Sequence, residues 1–308
     1  MRSFSALEIR NEFSDFDLGL WNGQGDVTLS QQACIISYSG FFRANDYRIS
    51  ARMNAPAASS AAPFQLFSIS NSNVSIPFNA ELRDLFTNQQ QTLSPDVFSN
   101  NMTYQIGTCT FGGNSAELRF DLLASDLYQV PAGDYRVSLD IEARRVNNGG
   151  NLTGQSDTQQ NLRGRIQIPS LIQISGLNDI NLGTYDGLSP SLFQNESFCI
   201  YTNTANYTIT TMGSNNIGSP NTYSLVSGSN NIDYRVKVHN SSDASNESYL
   251  LNGATTTSLA ANQSQPLSRN CSVAGDNAAV YVEIQGADLS AVPAGSYSDV
   301  LTLRVAPI

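Results

Sequence analysis

A chain of 308 residues with net charge −10, holding 16 Lys and Arg against 26 Asp and Glu, has no basic stripe to neutralise nucleic-acid phosphates. It equally lacks the polybasic cluster that would hold it on an anionic membrane, and no apolar run approaches the ~18 residues of a membrane span. A single histidine, His239, and four cysteines leave little for metal ligation or for a Ser–His or Cys–His nucleophile, so no metal, cofactor or enzymatic activity is expected.

Taken in order, the chain reads as all-β. Short runs alternate apolar and polar residues between clusters of Gly, Asn and Ser, as in Tyr234-Arg235-Val236-Lys237-Val238, and no segment carries a sustained helical stripe. Strands are expected near 5–10, 16–21, 32–38, 46–53, 64–70, 76–82, 103–107, 117–123, 134–145 and 162–168, with a loop over 146–160. A second series follows near 171–175, 179–185, 197–203, 206–212, 222–227, 232–239, 279–285 and 297–305. Strands this frequent suggest two β-sandwiches of immunoglobulin-like type in tandem.

Internal repetition fixes the division. Asp126-Leu127-Tyr128-Gln129-Val130-Pro131-Ala132-Gly133-Asp134-Tyr135 returns as Asp288-Leu289-Ser290-Ala291-Val292-Pro293-Ala294-Gly295-Ser296-Tyr297. Leu18-Gly19-Leu20-Trp21-Asn22-Gly23 returns as Leu182-Gly183-Thr184-Tyr185-Asp186-Gly187. The cysteines repeat too: Cys34 and Cys109 are 75 residues apart, Cys199 and Cys271 are 72 apart. Landmarks in one order at offsets of 162 to 165 mean two copies of one domain, residues 1–168 and 169–308. Matched spacing predicts one disulfide per copy, Cys34–Cys109 and Cys199–Cys271, and hence an oxidising compartment. Met1 to Arg10 carries no apolar signal core, so export implies that a signal has been removed.

The copies differ after the repeated decapeptide. The first continues for over thirty residues and gains a further strand; the second has one strand before Ile308. A sandwich short of a strand exposes an apolar groove and unpaired backbone groups, which a strand from another chain would fill. Leu301, Leu303 and Val305 are expected to border that groove. The alternative is closure by a strand from 241–270, a region of Ser, Asn, Ala and Thr with little to bury.

Leu182 to Gly187, the mid-domain cysteine and Val292-Pro293-Ala294-Gly295-Ser296-Tyr297-Ser298-Asp299-Val300-Leu301-Thr302-Leu303 resemble a spore coat protein U domain. That domain also builds the subunits of archaic, Csu-type chaperone–usher pili. The likeness is sharpest over 292–303, extends over 171–308 and touches the first copy only at the landmarks. It implies a C-terminal pilin-like domain complemented by a donor strand, first from a periplasmic pilus chaperone and then from the adjacent pilin subunit at an outer-membrane usher. A two-domain chain of this kind resembles the tip adhesin, which is secreted through the periplasm to the cell surface and serves biofilm formation. Such a tip has no donor extension of its own, and Leu7-Glu8-Ile9 lies too close to the first strand to act as one. Csu-type tips attach through hydrophobic finger loops.

Comparison of the copies locates candidate fingers. Between Cys34 and Tyr47 lie twelve residues, against seven between Cys199 and Tyr207, and the excess falls at Ser39-Gly40-Phe41-Phe42-Arg43. Adjacent phenylalanines in a strand cannot both face one core, so Gly40, Phe41 and Phe42 form a candidate surface-binding loop. The segment 54–63, with Ala57, Ala58, Ala61, Ala62 and Pro63, is small and apolar where the second copy is polar. Leu85-Phe86 and Leu93 read either as a third tip or as core. The expected function is attachment to abiotic or host surfaces. A lectin-like adhesin with a carbohydrate site, or a non-adhesive coat or pilus subunit, are the alternatives.

Overall fold

The computed structural model describes residues 5–10, 12–39, 43–54, 63–103, 113–147, 149–152, 158–215, 221–240, 248–260, 271 and 275–308. The chain is all-β and divides into two compact units, Met1–Pro169 and Ser170–Ile308. Among the described residues no helix is long and apolar enough to cross a membrane.

In unit 1 the strands are β1 (Ser5–Arg10), β2 (Phe16–Leu20), β3 (Val27–Ser39), β4 (Arg43–Ala44), β5 (Tyr47–Met53), β6 (Phe64–Ser68), β7 (Ser75–Asp84), β8 (Gln90–Thr92) and β9 (Ala116–Leu122). After a one-turn helix α1 (Ala124–Leu127) come β10 (Gly133–Arg145) and β11 (Thr158–Ile168). Hydrogen bonds run in the order β1-β3-β9-β7-β6-β10-β11-β2, with β4 on β3, β5 on β10 and β8 on β7. β9 and β2 stand five places apart, about 24 Å in a flat sheet. Yet the rings of Phe16 on β2 and Phe120 on β9 stack with centroids 4.5 Å apart. The sheet therefore curls on itself around one core. Alternation of buried and half-exposed residues along β7 and β9 supplies the inner face, including Ile76, Phe78, Ala80, Leu82, Leu118 and Phe120.

One glycine makes the closure possible. Gly164 on β11 lies opposite Phe16, and a Cβ there would sit 2.0 Å from the tip of the Phe16 ring. Gly164→Ala should drive the ring off Phe120 and cost about 1–3 kcal/mol, lowering the melting temperature by several degrees. In a Phe16→Ala background the same change should cost almost nothing; an equal loss there would show that the glycine serves another purpose.

Unit 2 contains β12 (Ile172–Ser175), β13 (Ser191–Thr202), β14 (Asn206–Gly213), β15 (Tyr223–Ser227), β16 (Asn230–Asn240), β17 (Leu259–Ala260) and β18 (Ala278–Gln285). The one-turn helix α2 (Gly286–Ser290) and β19 (Leu301–Pro307) complete it. A five-stranded sheet, β12-β13-β18-β16-β15, and a three-stranded sheet, β17-β14-β19, enclose a core of Phe198, Ile209, Tyr223, Val236, Val280 and Ile284 among others. Cys199 and Cys271 are bonded, with Cα atoms 5.7 Å apart. Cys34 is also disulfide-bonded, while Cys109 lies outside the described residues.

The repeated decapeptide has the same internal bond in both units. The Tyr135 hydroxyl donates to the Pro131 carbonyl, and the Tyr297 hydroxyl to the Pro293 carbonyl, each at 2.8 Å. This tyrosine corner bends the chain back after the short helix and aims it into the next strand. Burial pushes the Tyr135 phenol up to about 12. The helices themselves, one turn each, are too short to leave a periodic stripe in the sequence.

Two expected strands of unit 2 do not form as read. Residues 179–185 are not a strand, and the strand expected over 297–305 begins only at Leu301. The cause is visible in unit 1. There β2 is held by β11 alone, and Gly133 to Tyr135 pair with Ile168 to Ile166. Unit 2 has no counterpart of β11 among its described residues, so the matching segments lack the neighbour that would hold them extended. Most of the expected strand 103–107 lies outside the described residues, and β11 starts at Thr158, inside the expected loop.

Candidate functional site

Among the described residues, the missing neighbour leaves one strand edge of unit 2 unpaired. β19 pairs antiparallel with β14 from Leu301 opposite Gly213 to Pro307 opposite Tyr207. Its other edge has no ladder partner among the described residues. In unit 1 the corresponding edge of β10 pairs with β11 over eleven positions, Gly133↔Ile168 to Ala143↔Thr158. Along β19, Thr302 and Arg304 are exposed while Leu301, Leu303 and Val305 are half-buried and pack against the core. The sequence-predicted groove residues therefore share one face of one edge strand.

Beside that edge opens a cavity of ≈ 300 Å³, lined by Ile180, Leu182, Val280, Val282, Leu301 and Leu303 with their neighbours. Its floor is the core itself, since Val280 and Val282 belong to the buried cluster. A polar anchor marks one end. The Tyr234 hydroxyl donates to Asp299 Oδ2 at 2.6 Å, and Asp299 Oδ1 accepts from Ser214 N at 3.1 Å, Ser214 Oγ at 2.6 Å and Asn215 N at 3.1 Å. Burial, then the bond and charge of Asp299, raise the Tyr234 pKa well above that of a free phenol. Asp299 thus ties the start of β19 to the end of β14, a role sequence reading missed because the motif around it is read mainly for its apolar alternation.

Of the surface-binding candidates in unit 1, Gly40, Phe41, Phe42, Ala57, Ala58, Ala61 and Ala62 lie outside the described residues, and Pro63 is exposed. The flanks are informative. Ser39 pairs with Arg43 across β3 and β4, and the chain then enters β5 at Tyr47; the alanine-rich segment follows the far end, after Met53 and Asn54. β5 spans about 20 Å, so the flanking residues attach the two apolar segments to opposite ends of one strand.

The third apolar stretch divides. Leu93 is buried, whereas Phe86 is 46% exposed. Phe86 sits in the tight turn after β7, and the buried Asp84 builds that turn. Asp84 Oδ1 accepts from Phe86 N at 2.8 Å and Thr87 N at 3.1 Å, while Oδ2 accepts from Thr103 N at 2.8 Å. Asn88 closes it with φ +60°, a left-handed conformation that asparagine tolerates. Asp84 pairs with Ala116, which pairs with Ala33, and β3 runs on from there to Ser39. Phe86 and the Ser39–Arg43 pair therefore stand at the same end of unit 1.

Among the described residues no group of three or more His, Cys, Asp or Glu side chains could hold a metal ion. No protein-family model and no curated protein matches the chain. Solved structures do. The tip subunit CsuE, in its pre-assembly complex with the chaperone CsuC of the archaic Csu pili of Acinetobacter baumannii, is 14% identical, with 96% of this chain and 99% of that one covered and a TM-score of 0.48. CfaE, the adhesive subunit of the CFA/I fimbria of enterotoxigenic Escherichia coli, is 13% identical over 97% and 94%, at a TM-score of 0.41. The chain is also similar to the CupB6 tip adhesin from Pseudomonas aeruginosa, 14% identical over 97% and 95%, with a TM-score of 0.40.

Proposed function

We propose that the chain is a two-domain adhesin carried at the tip of an archaic chaperone–usher pilus. Residues 169–308 accept a donor strand, from a periplasmic chaperone and then from the adjacent pilin at the usher. Residues 1–168 meet the abiotic or host surface. The observation that carries this is the contrast between the two copies: the edge of β10 is covered by β11, while among the described residues nothing pairs with the edge of β19 or covers the apolar cavity beside it. A half-covered core next to an unpaired strand edge is what strand addition from another chain requires.

Attachment is assigned to the end of unit 1 that carries Phe86 and the Ser39–Arg43 hairpin, with Phe41 and Phe42 as its fingers. Ala57, Ala58, Ala61, Ala62 and Pro63 are assigned to attachment as a second apolar segment. Burying one phenylalanine on contact contributes roughly 1.5–3 kcal/mol. The double variant Phe41→Ala, Phe42→Ala should therefore weaken adhesion to polystyrene by about two to four orders of magnitude per tip, with the melting temperature unchanged. Phe86→Ala should add a smaller loss. Normal adhesion by the double variant, or a melting temperature lowered by many degrees, would overturn the finger assignment.

A further inference from the structure

An open depression of ≈ 790 Å³ lies in unit 1 on the outer face of β10 and β11, between β2 and the end of β6. Three arginines and two aspartates line it, a small positive excess in an acidic chain. Arg136, Arg163 and Arg165 line it, all exposed. Arg136 stands directly opposite Arg165 across the antiparallel pair, and Arg163 lies two residues along on the same face. Like charges directly opposed on neighbouring strands destabilise a sheet, so this placement works against the fold.

The two aspartates are both engaged. Arg165 Nε holds Asp17 at 3.0 Å, and Asp17 also accepts from Gly19 N at 2.9 Å. Asp15 Oδ1 accepts from the Arg163 backbone N–H at 2.8 Å. Among the described residues neither Arg136 nor Arg163 makes an ion pair or a side-chain hydrogen bond. Beside Arg136, directly across β6 and β10, stands the half-buried Phe67, and Ile69 beyond it is 53% exposed. Asn73 borders the same space. Free guanidinium groups next to an apolar, partly aromatic wall and an amide suit a ligand with an oxyanion on a ring that has one apolar face.

We propose that this depression binds an acidic saccharide, its carboxylate or sulfate held by Arg136 and Arg163 and one face of its ring laid against Phe67 and Ile69. The site uses residues of unit 1 alone and shares none with the finger assignment or with the edge of β19. Loss of either of those assignments leaves it intact.

The test is calorimetric titration of the full chain with a uronic-acid oligosaccharide, its neutral counterpart, a sulfated counterpart and inorganic phosphate. The acidic sugars should bind and the neutral one should bind at least about tenfold more weakly, as expected for loss of a charge-assisted hydrogen bond. Raising the salt concentration should weaken binding. A preference between the carboxylate and sulfate arms identifies the acid, and either preference supports the site. Arg136→Gln and Arg163→Gln should each lower affinity about tenfold to a hundredfold. Arg136→Gln should also leave the melting temperature unchanged or raised, because a like-charge contact is relieved. Equal binding of the neutral sugar, phosphate binding as tight as the sugars, no binding at all, or variants that bind normally would each overturn the proposal.

Discussion

A strand with the apolar alternation of β11, joined through a flexible linker after Ile308, should raise the melting temperature of unit 2 by roughly 10 °C. Inward side chains that fill the cavity beside β19 contribute about 1.5–3 kcal/mol each. Ordering the strand offsets much of that gain, leaving a few kcal/mol at about 3 °C per kcal/mol. The control is the same strand shifted by one residue. Because side chains alternate between faces, the shift turns every apolar residue to solvent and should abolish the gain. Leu303→Asp should abolish it as well, by placing a charge on the half-buried face of β19. Equal stabilisation by both registers, or by neither, would mean that the edge of β19 is not a receptor for a strand.

The second large effect is expected from the disulfide of unit 2. Cys199 and Cys271 are both buried and close a span of 72 residues. In the chain-entropy account, opening such a loop costs roughly 4 kcal/mol. A domain's whole stability is about 5–15 kcal/mol, so Cys199→Ala with Cys271→Ala should leave unit 2 marginal, with a melting temperature lower by about 10 °C or more. In the native, unreduced protein a thiol reagent added under denaturing conditions should label close to none of the four cysteines. A double variant that melts like the parent, or reactive thiols before reduction, would sink the assignment.

The all-β character and the tandem organisation were legible because both rest on period: alternation of two within strands, and landmarks offset by 162 to 165 residues. The pairing of Cys199 with Cys271 was legible for the same reason. What failed were the two segments of unit 2 whose counterparts in unit 1 are held by β11. Leu182 to Gly187 matches Leu18 to Gly23 in type at every position but Thr184, which stands where the first copy has Leu20, yet only the first copy has β11 to pair with, so only it contributes to a strand. Local sequence carries the tendency to extend, and the neighbour decides the outcome. The arginine pair Arg136 and Arg165 was illegible too: 29 residues separate them in sequence, and only the register of β10 on β11 brings them face to face. The role of Asp84 is carried by no sequence motif, because its three backbone donors come from Phe86, Thr87 and Thr103.

The pairing of β2 with β11 also sets an order in time. Asp15 and Arg163, whose contact flanks that pairing, are 148 residues apart along the chain. During synthesis from the N-terminus, Phe16 is made early but has no place to dock until Gly164 has emerged. Until then β10 presents a bare edge and Phe120 lacks the ring that stacks on it. Contacts this remote in sequence make for slow closure, on the scale of milliseconds to seconds for sheet proteins. For that interval unit 1 has the open sheet edge over an apolar core that the described residues of unit 2 retain, and it escapes by supplying the last strand from its own chain.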